Sequence, residues 1–404
     1  MYQVIFEIFV KKIQFKIVTN TFEMKVFLIM KGGFDKYPPA ISLINILCDL
    51  GIKPICIGET TNANTRSSFE SKGVIFYDVT STIGISDPIS QFRVAIKFKK
   101  QVKNYVKQNV NPQTDIVWII KEDTICLLHD IVASYKCILH FYEFALDISL
   151  KYKILNPGFS LKKTMKEAYK VVHCNYDRAS IIWGTFGLDS IPEVMPNKPY
   201  IDDFSTYVIP NELNATIEKV KILTENKKTL LYQGAFNTKE RRLEEFCQAV
   251  NEMDDSYVLL VLGFGSSYYD NLKRKYESGK IIFIPKITPP YHLLITKLAQ
   301  IGILTYYPNF GSIDGTINPL YCAPNKIFEY GKYGLPMLSN KIPGLLSIFN
   351  TYHCGECIEM PLNISNIKEA IEKIFTDYDS YSKGAIRYYN SIDMRLICKK
   401  ILFS

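Results

Sequence analysis

The sequence predicts an α/β protein built from two doubly wound, mostly parallel sheets, and three observations carry that prediction. Short runs rich in β-branched and aromatic residues alternate with helix-length amphipathic segments. The alternation pauses once, in a proline-rich stretch near the middle of the chain, and then resumes. The 404 residues are 47% hydrophobic and 22% charged, enough apolar material for two ordinary globular cores.

From Met24 the strand candidates run "KVFLIM", "KPICIG", "GVIFYDV", "DIVWII", "CILHFYEF" and "KVVHCN", with "AISLINILCDLG" as the first amphipathic helix. Strands apolar on both sides suit a parallel sheet covered on both faces, the βαβα arrangement. The segment "IPEVMPNKPYIDDFSTYVIPNELN" holds four prolines and no clear period, which places a boundary around residues 197–227. The second half then reads "TLLYQG", helix "KERRLEEFCQAVNEM", "YVLLVLG", helix "YYDNLKRKYES", "IIFIP", helix "YHLLITKLAQ", "IGILTYY", helix "NKIFEYGKYG" and "LPMLSN". The remaining segment, from "NISNIKEAIEKIF" on, reads as consecutive helices, and a tail after the second sheet can return to the first domain.

Residues 1–23 lack both a long apolar core and a small-residue cleavage site. They are expected to be either an upstream start-codon artefact or a peripheral amphipathic extension. No stretch reaches the length of a spanning helix. The net charge of +8 is spread through both halves, so an anionic substrate or membrane surface fits better than nucleic acid. The 10 cysteines lie scattered, mostly inside apolar runs, and read as reduced core residues of a cytoplasmic protein. The closest pair, in "HCGEC" at 353–357, has no second pair to complete a structural zinc site, so no metal is expected.

In doubly wound sheets ligands sit beyond the carboxyl ends of the strands, so the loops there carry the chemistry. After "TLLYQG", Gly234 permits close backbone approach, and Lys239, Arg241 and Arg242 follow at the head of the next helix; a solvated first turn explains them equally well. Gly263 and Gly265 flank a sharp strand-to-helix turn that is either a phosphate contact or an ordinary βα turn. In "YCAPNKIFEYGKYGLPMLSN", residues 321–340, Pro324 is expected to start a helix with Asn325 and Lys326 in its first turn and Ile327, Phe328 and Tyr330 on the core. Glu329 would then project toward bound ligand, where a carboxylate accepts from a vicinal diol and Lys326 meets phosphate. The plain alternative is a surface Glu favoured by the helix dipole.

These motifs, "YQGAFNTKERRLEEF", "VLLVLGFG", "IIFIPKI" and "APNKIFEYGKYGLPMLSN" in this order, resemble the nucleotide-sugar domain of the family 4 (group 1) retaining glycosyltransferases. "MKVFLIMKGGFDKYPPAISLINILCDLGIKPICIG", "LHFYEF" and "HCNYDRASIIWGTFGL" resemble that group's acceptor domain, and the likeness covers roughly residues 24–385. It implies the GT-B fold, two Rossmann-like domains facing across a cleft with C-terminal helices crossing back. The expected layout is an extension 1–23, an acceptor domain 24–205, a nucleotide-sugar domain 206–385 and a returning helix 386–404.

It also implies transfer of a hexosyl-type sugar from a nucleotide diphosphate, with retained configuration and without metal or other cofactor. Arg241 matches the basic residue that neutralises the pyrophosphate, and Glu329 the second acid of an E-x7-E motif, which binds ribose. Ile287 matches the loop that holds the base, and Gly32 and Gly33 match the glycine loop after the first strand. Two departures stand out. Tyr321 occupies the place of the first acid, leaving Asn318, Asn325 or Asp314 to meet the donor sugar, and Ala235 replaces a second arginine, leaving Lys326 to supply the charge.

On the acceptor side the candidates are Glu122 and Asp123 after "DIVWII", and His140 and Glu143 in "LHFYEF"; His140 reads equally as a core histidine, and Arg178 as the partner of a nearby acid. Residues 92–110 carry six cations and no acid between Phe92, Ile96, Val102, Tyr105 and Val106. They form either a membrane-surface helix or a solvated helix face. The expected activity is a cytoplasmic glycosyltransferase, peripheral on the inner membrane face, acting on a glycan or lipid-linked acceptor in surface polysaccharide or glycolipid synthesis. A GT-B nucleotide-sugar epimerase or hydrolase and a non-catalytic GT-B-like subunit are the alternatives.

Overall fold

The computed structural model describes residues 24–80, 84–146, 148, 150–200, 209–236 and 240–404. The chain divides into two compact units: the described residues up to Tyr200 together with Asp393–Ser404, and those within Ile201–Ile392. The extension 1–23, part of the inter-domain stretch, and Lys239 lie outside the described residues.

In the first unit seven strands form one parallel sheet: β1 (Val26–Gly33), β2 (Ile55–Glu59), β3 (Ile75–Asp78), β4 (Ile116–Ile120), β5 (Lys136–Phe141), β6 (Lys170–His173) and β7 (Glu193–Val194), in the order β3-β2-β1-β4-β5-β6-β7. Order reverses between β1 and β4, whose residues pair from Val26↔Ile116 to Met30↔Ile120. All five residues of β4 are buried, as a strand covered on both faces requires. Gly58 lets β2 approach β1, because a Cβ there would stand 2.7 Å from both Met30 O and the Phe34 ring.

The helix Pro88–Asn109 buries Ala95, Phe98, Val102 and Val106. The apolar side of the basic segment is therefore spent on the protein's own core. What it presents outward is Arg93, Lys97, Lys100 and Lys107, while Lys99 and Lys103 pair with Asp130. The C-terminal helix Met394–Phe403 belongs to this unit, placing Cys398, Ile401 and Leu402 in its core and Arg395 Nη2 2.6 Å from Asp49 Oδ2. The chain changes unit after Ile392, so the boundary expected at 385 falls inside the helix Tyr378–Ser391, which packs on the second unit through Tyr381, Ala385 and Tyr388.

The second unit holds β8 (Lys228–Phe236), β9 (Tyr257–Gly265), β10 (Ile281–Ile284), β11 (Ile301–Leu304), β12 (Met337–Asn340) and β13 (Gly355–Ile358), all parallel, in the order β10-β9-β8-β11-β12-β13. The period of two divides its core: Leu230, Tyr232, Leu259 and Val261 face one layer, and Leu231, Val258, Leu260 and Leu262 the other. The helix Asn211–Thr224 lies inside the stretch read as a boundary, with Ile217 and Val220 buried under the sheet. The helix expected over "KERRLEEFCQAVNEM" begins only at Glu244, leaving Arg241 and Arg242 in the preceding loop.

All ten cysteines are free thiols, and among the described residues no cluster of three or more His, Cys, Asp or Glu side chains could hold a metal ion. His353 instead caps the helix Pro343–Tyr352 in the left-handed region at φ 51° and stacks on Tyr381. No helix among the described residues is long and apolar enough to cross a membrane.

Candidate functional site

The helix Lys326–Lys332 is fixed on β8 and β11 by Tyr330. Its hydroxyl donates to Leu231 O at 3.3 Å and lies 3.4 Å from Ile303 O, and its ring rests on Gly302, where a Cβ would come within 2.3 Å. Residues three and four apart share a helix face. Anchoring Tyr330 therefore places Lys326, four residues earlier, on the same face, with Glu329 three residues after Lys326. The helix starts at Lys326, two residues after the Pro324 expected to open it, and Gly334 leaves it at φ +67°.

Lys326 is 8% exposed, and its Nζ has no hydrogen-bond partner among the described residues. The ammonium lies 4.5 Å from the centroid of the Tyr232 ring. Gly234, at φ +143°, opens the space beside it: a Cβ there would stand 2.7 Å from Lys326 Nζ and 3.4 Å from Arg241 Nη1. Arg241 donates from that nitrogen to Ala235 O at 3.3 Å, so the alanine position contributes a carbonyl that steers the guanidinium. Burial first, and then the Arg241 charge, push the Lys326 ammonium well below the usual lysine range, while Glu329 acts in the opposite sense. Two cations thus converge on a glycine that leaves room for a ligand, and an anion between them would relieve both.

Glu329 does not project freely. Gln233 Nε2 donates to its Oε2 at 2.5 Å, and His292 Nε2 lies 3.2 Å from its Oε1. Thr296 in turn donates to Gln233 Oε1 at 2.8 Å, which fixes the amide orientation. Burial raises the affinity of this carboxyl for a proton, but His292, the Lys326 charge and the Gln233 bond outweigh it and hold the group below the usual range. Each oxygen keeps a further lone pair, so an ionised Glu329 can still accept from a hydroxyl. Gln233 and His292 escaped the sequence reading; the signal for Gln233 was its place one residue before Gly234, on a strand end.

The remaining expected residues lie in their loops. Gly263 pairs in register with Gly234 and receives the Phe236 ring, which a Cβ would meet at 2.7 Å; Gly265 has φ +141°. Ile287 packs its side chain on the core. Asn325 precedes the helix and accepts from the amides of Phe328 and Glu329 through its carbonyl, making no side-chain cap. Asn318 and Asp314 sit in the helix Ile313–Leu320, and Tyr321 ends that helix, its Cα 2.9 Å from where a Cβ on Gly344 would be.

In the first unit, Gly32 (φ +102°) and Gly33 end β1, and Glu122 and Asp123 follow β4. Glu122 Oε1 accepts from the amides of Tyr142 and Glu143, both at 2.7 Å, and burial raises its pKa to about 7. Asp123 is ringed by Lys31 at 3.2 Å, Lys121 at 3.5 Å and the Tyr152 hydroxyl at 3.3 Å. Burial acts to raise its pKa, and the two lysines overcome that and lower it. Glu143 is exposed and pairs with the buried Arg178 at 3.1 Å. His140 is buried: Trp118 Nε1 donates to its Nδ1 at 3.3 Å, and burial lowers its pKa to about 3.

No protein-family model matches the chain, and no curated protein matches it. Solved structures do. A glycosyltransferase from Rickettsia africae ESF-5 aligns over 94% of this chain and 97% of its own, with TM-score 0.65 and 15% identity. HepE from Anabaena in complex with UDP-glucose aligns over 94% and 98%, with TM-score 0.65 and 12% identity. The chain has the GT-B fold. Sucrose-phosphate synthase from Thermosynechococcus elongatus shares it, over 94% and 97%, at TM-score 0.65 and 13% identity. At such identities the likeness is one of fold, and the chemistry rests on this GT-B chain's own residues. Among them the second unit brings together Gly234, Arg241, Lys326 and Glu329, and the first unit brings together Glu122, Asp123 and Glu143.

Proposed function

We propose that this chain is a glycosyltransferase that takes its sugar from a nucleotide diphosphate donor, held by the second unit through Lys326 and Arg241. The observation that carries the reading is the buried Lys326 ammonium, unpartnered among the described residues, beside Gly234 and Arg241. A diphosphate supplies the charge this site lacks, and Glu329, tied to Gln233 and His292, offers its remaining lone pairs to a ribose diol. The UDP-glucose bound by HepE, a protein of the same fold, supports UDP-glucose as the first donor to test.

In this reading the bond between the anomeric carbon and the diphosphate oxygen breaks while the acceptor oxygen bonds the same carbon. Negative charge grows on the diphosphate, and fixed cations in a site of low polarity stabilise it. Retention follows if the acceptor attacks the face that the diphosphate leaves, with the acceptor's proton passing to the departing phosphate oxygen. The chain needs no separate protein base for that step and, with Lys326 and Arg241 in place, no metal. A glycan or lipid-linked acceptor would lie with the first unit, and the outward cations of the helix Pro88–Asn109 would draw that unit to the inner, anionic face of the cytoplasmic membrane.

The test is thermal stabilisation by UDP-, GDP-, ADP- and CMP-sugars, followed by release of nucleotide from the stabilising donor, for the wild type and for Lys326→Met and Arg241→Ala. Stabilisation and turnover by the wild type, lost in both variants, are expected. Absence of stabilisation by every nucleotide sugar would refute the reading; binding without sugar transfer or hydrolysis would leave a non-catalytic subunit in its place.

A further inference from the structure

Lys31 stands near the end of β1 and Asp123 beyond the end of β4, at the point where strand order in the first sheet reverses. In open α/β sheets that crevice is where ligands enter. A pocket of about 240 Å³ opens here, lined by Lys31, Ile85, Gln91, Val94, Lys151 and Tyr152.

Among the described residues its charges do not balance. Asp123 is shared by Lys31 and Lys121 and accepts from the Tyr152 hydroxyl. Lys151 donates to the neutral Gln91 Oε1 at 2.9 Å, and among the described residues no carboxylate forms an ion pair with it. Glu122, the other nearby acid, turns to the amides of Tyr142 and Glu143, acts on Lys121 through its charge, and forms no ion pair with a lysine among the described residues. Two ammonium groups, Lys31 and Lys151, therefore line a concave site whose walls lower the local dielectric, and the carboxylate that pairs with Lys31 is shared with Lys121. Ile89, Leu150 and Ile154 are exposed on the two helices that supply Gln91, Val94, Lys151 and Tyr152.

We infer that this pocket binds a phosphate group carried by the acceptor, with Lys151 and Lys31 as its ligands. Lysine serves phosphate as a mobile point charge, and a site with two uncompensated cations selects a dianionic group over a neutral sugar. That the phosphate belongs to the acceptor rests on the proposed transfer reaction; that the pocket takes phosphate does not. The flanking apolar side chains suit a phosphate on a hydrocarbon chain, and an unattached sugar phosphate would leave them uncovered.

The experiment is calorimetric titration of the full chain with methyl phosphate and with dodecyl phosphate below its micelle concentration, using methyl glucoside and dodecyl maltoside as neutral controls. Lys326→Met serves as the background that removes the anion site of the second unit. Phosphate binding is expected to persist in that background, to weaken at least tenfold in Lys151→Ala and to recover in Lys151→Arg. Equal affinity for the two phosphates would assign a soluble phosphorylated acceptor, and a clear preference for dodecyl phosphate a lipid-borne one. Binding unchanged by Lys151→Ala, or matched by the neutral controls, overturns the inference. Stabilisation by the UDP-, GDP-, ADP- and CMP-sugars, measured in parallel on the wild type and on Lys151→Ala, separates the two readings: its absence from both with every sugar, with phosphate binding intact, defeats the donor assignment and leaves the pocket standing.

Discussion

Gln233 Nε2 donates to Glu329 Oε2 at 2.5 Å, joining residues 96 positions apart in the chain. The bond turns the carboxylate of a short helix into a fixed acceptor beside the strand end that carries Gly234. With His292 on the other oxygen, Glu329 stays ionised in a buried place, and its charge partly steadies Lys326 three residues earlier. In the proposed donor reading, this arrangement would hold a ligand with both hydroxyl and phosphate groups.

Lys326→Met is expected to raise the melting temperature of the ligand-free protein while abolishing stabilisation by nucleotide diphosphate. A buried ammonium without a hydrogen-bond partner is unfavourable to the fold, and an apolar side chain of similar length relieves that by about 1 kcal/mol or more. Differential scanning fluorimetry with and without UDP measures both effects. A variant that is less stable and still binds UDP would contradict the assigned role.

The same lysine sets a pH dependence. Its folded pKa is lowered, so between that value and the unfolded pKa of about 10.4 the unfolded chain binds more protons. The contribution of Lys326 to stability thus improves as pH rises through this window. Binding of UDP runs the other way, weakening as the ammonium is lost. Melting curves from pH 7 to 10 should show the difference between wild type and Lys326→Met shrinking, along with the UDP-induced shift of the wild type.

Gly234→Ala tests the space rather than the charge. At φ +143° with Lys326 Nζ 2.7 Å from the added carbon, the methyl group fills the anion position. Affinity for nucleotide diphosphate is expected to fall at least tenfold, about 1.4 kcal/mol, with the circular dichroism spectrum unchanged. Gly302→Ala is the structural counterpart: with its Cβ 2.3 Å from the Tyr330 ring it should lose about 3 kcal/mol in urea unfolding and displace the helix that carries Lys326.

Glu122 gives the first unit a signature near neutrality. Burial raises its folded pKa to about 7, above the unfolded value of about 4.3. Its favourable share of stability is full below the unfolded pKa and is lost as pH rises through about 7. Glu122→Gln keeps an acceptor for the Tyr142 and Glu143 amides and removes the titration. The variant should gain on the wild type by an amount of order 1 kcal/mol between pH 4.5 and 8. Parallel pH profiles for the two proteins would count against this assignment.

The hydrophobic runs were enough to foretell both sheets, because a strand covered on two faces must be apolar along its whole length, as "DIVWII" and "YVLLVLG" are. They also pointed to the strand-end loops that hold Gly234, Lys326 and Glu329, while the choice of Arg241 over Lys239 and Arg242 came from the family resemblance. Composition misled where turn residues and helix share a segment: the prolines before Asn211 hid a helix whose Ile217 and Val220 fill the core. Sequence carries no depth at His140, and only the structure shows it buried, with Trp118 Nε1 donating to its Nδ1.

Local sequence thus determined the elements and which strand ends carry charge. The tertiary structure decided what those charges do. Whether Lys326 is solvated or unpartnered, and whether Glu329 is free or held by Gln233 and His292, depends on groups brought together across β8, β11 and the loop after β10, through contacts that no local pattern encodes.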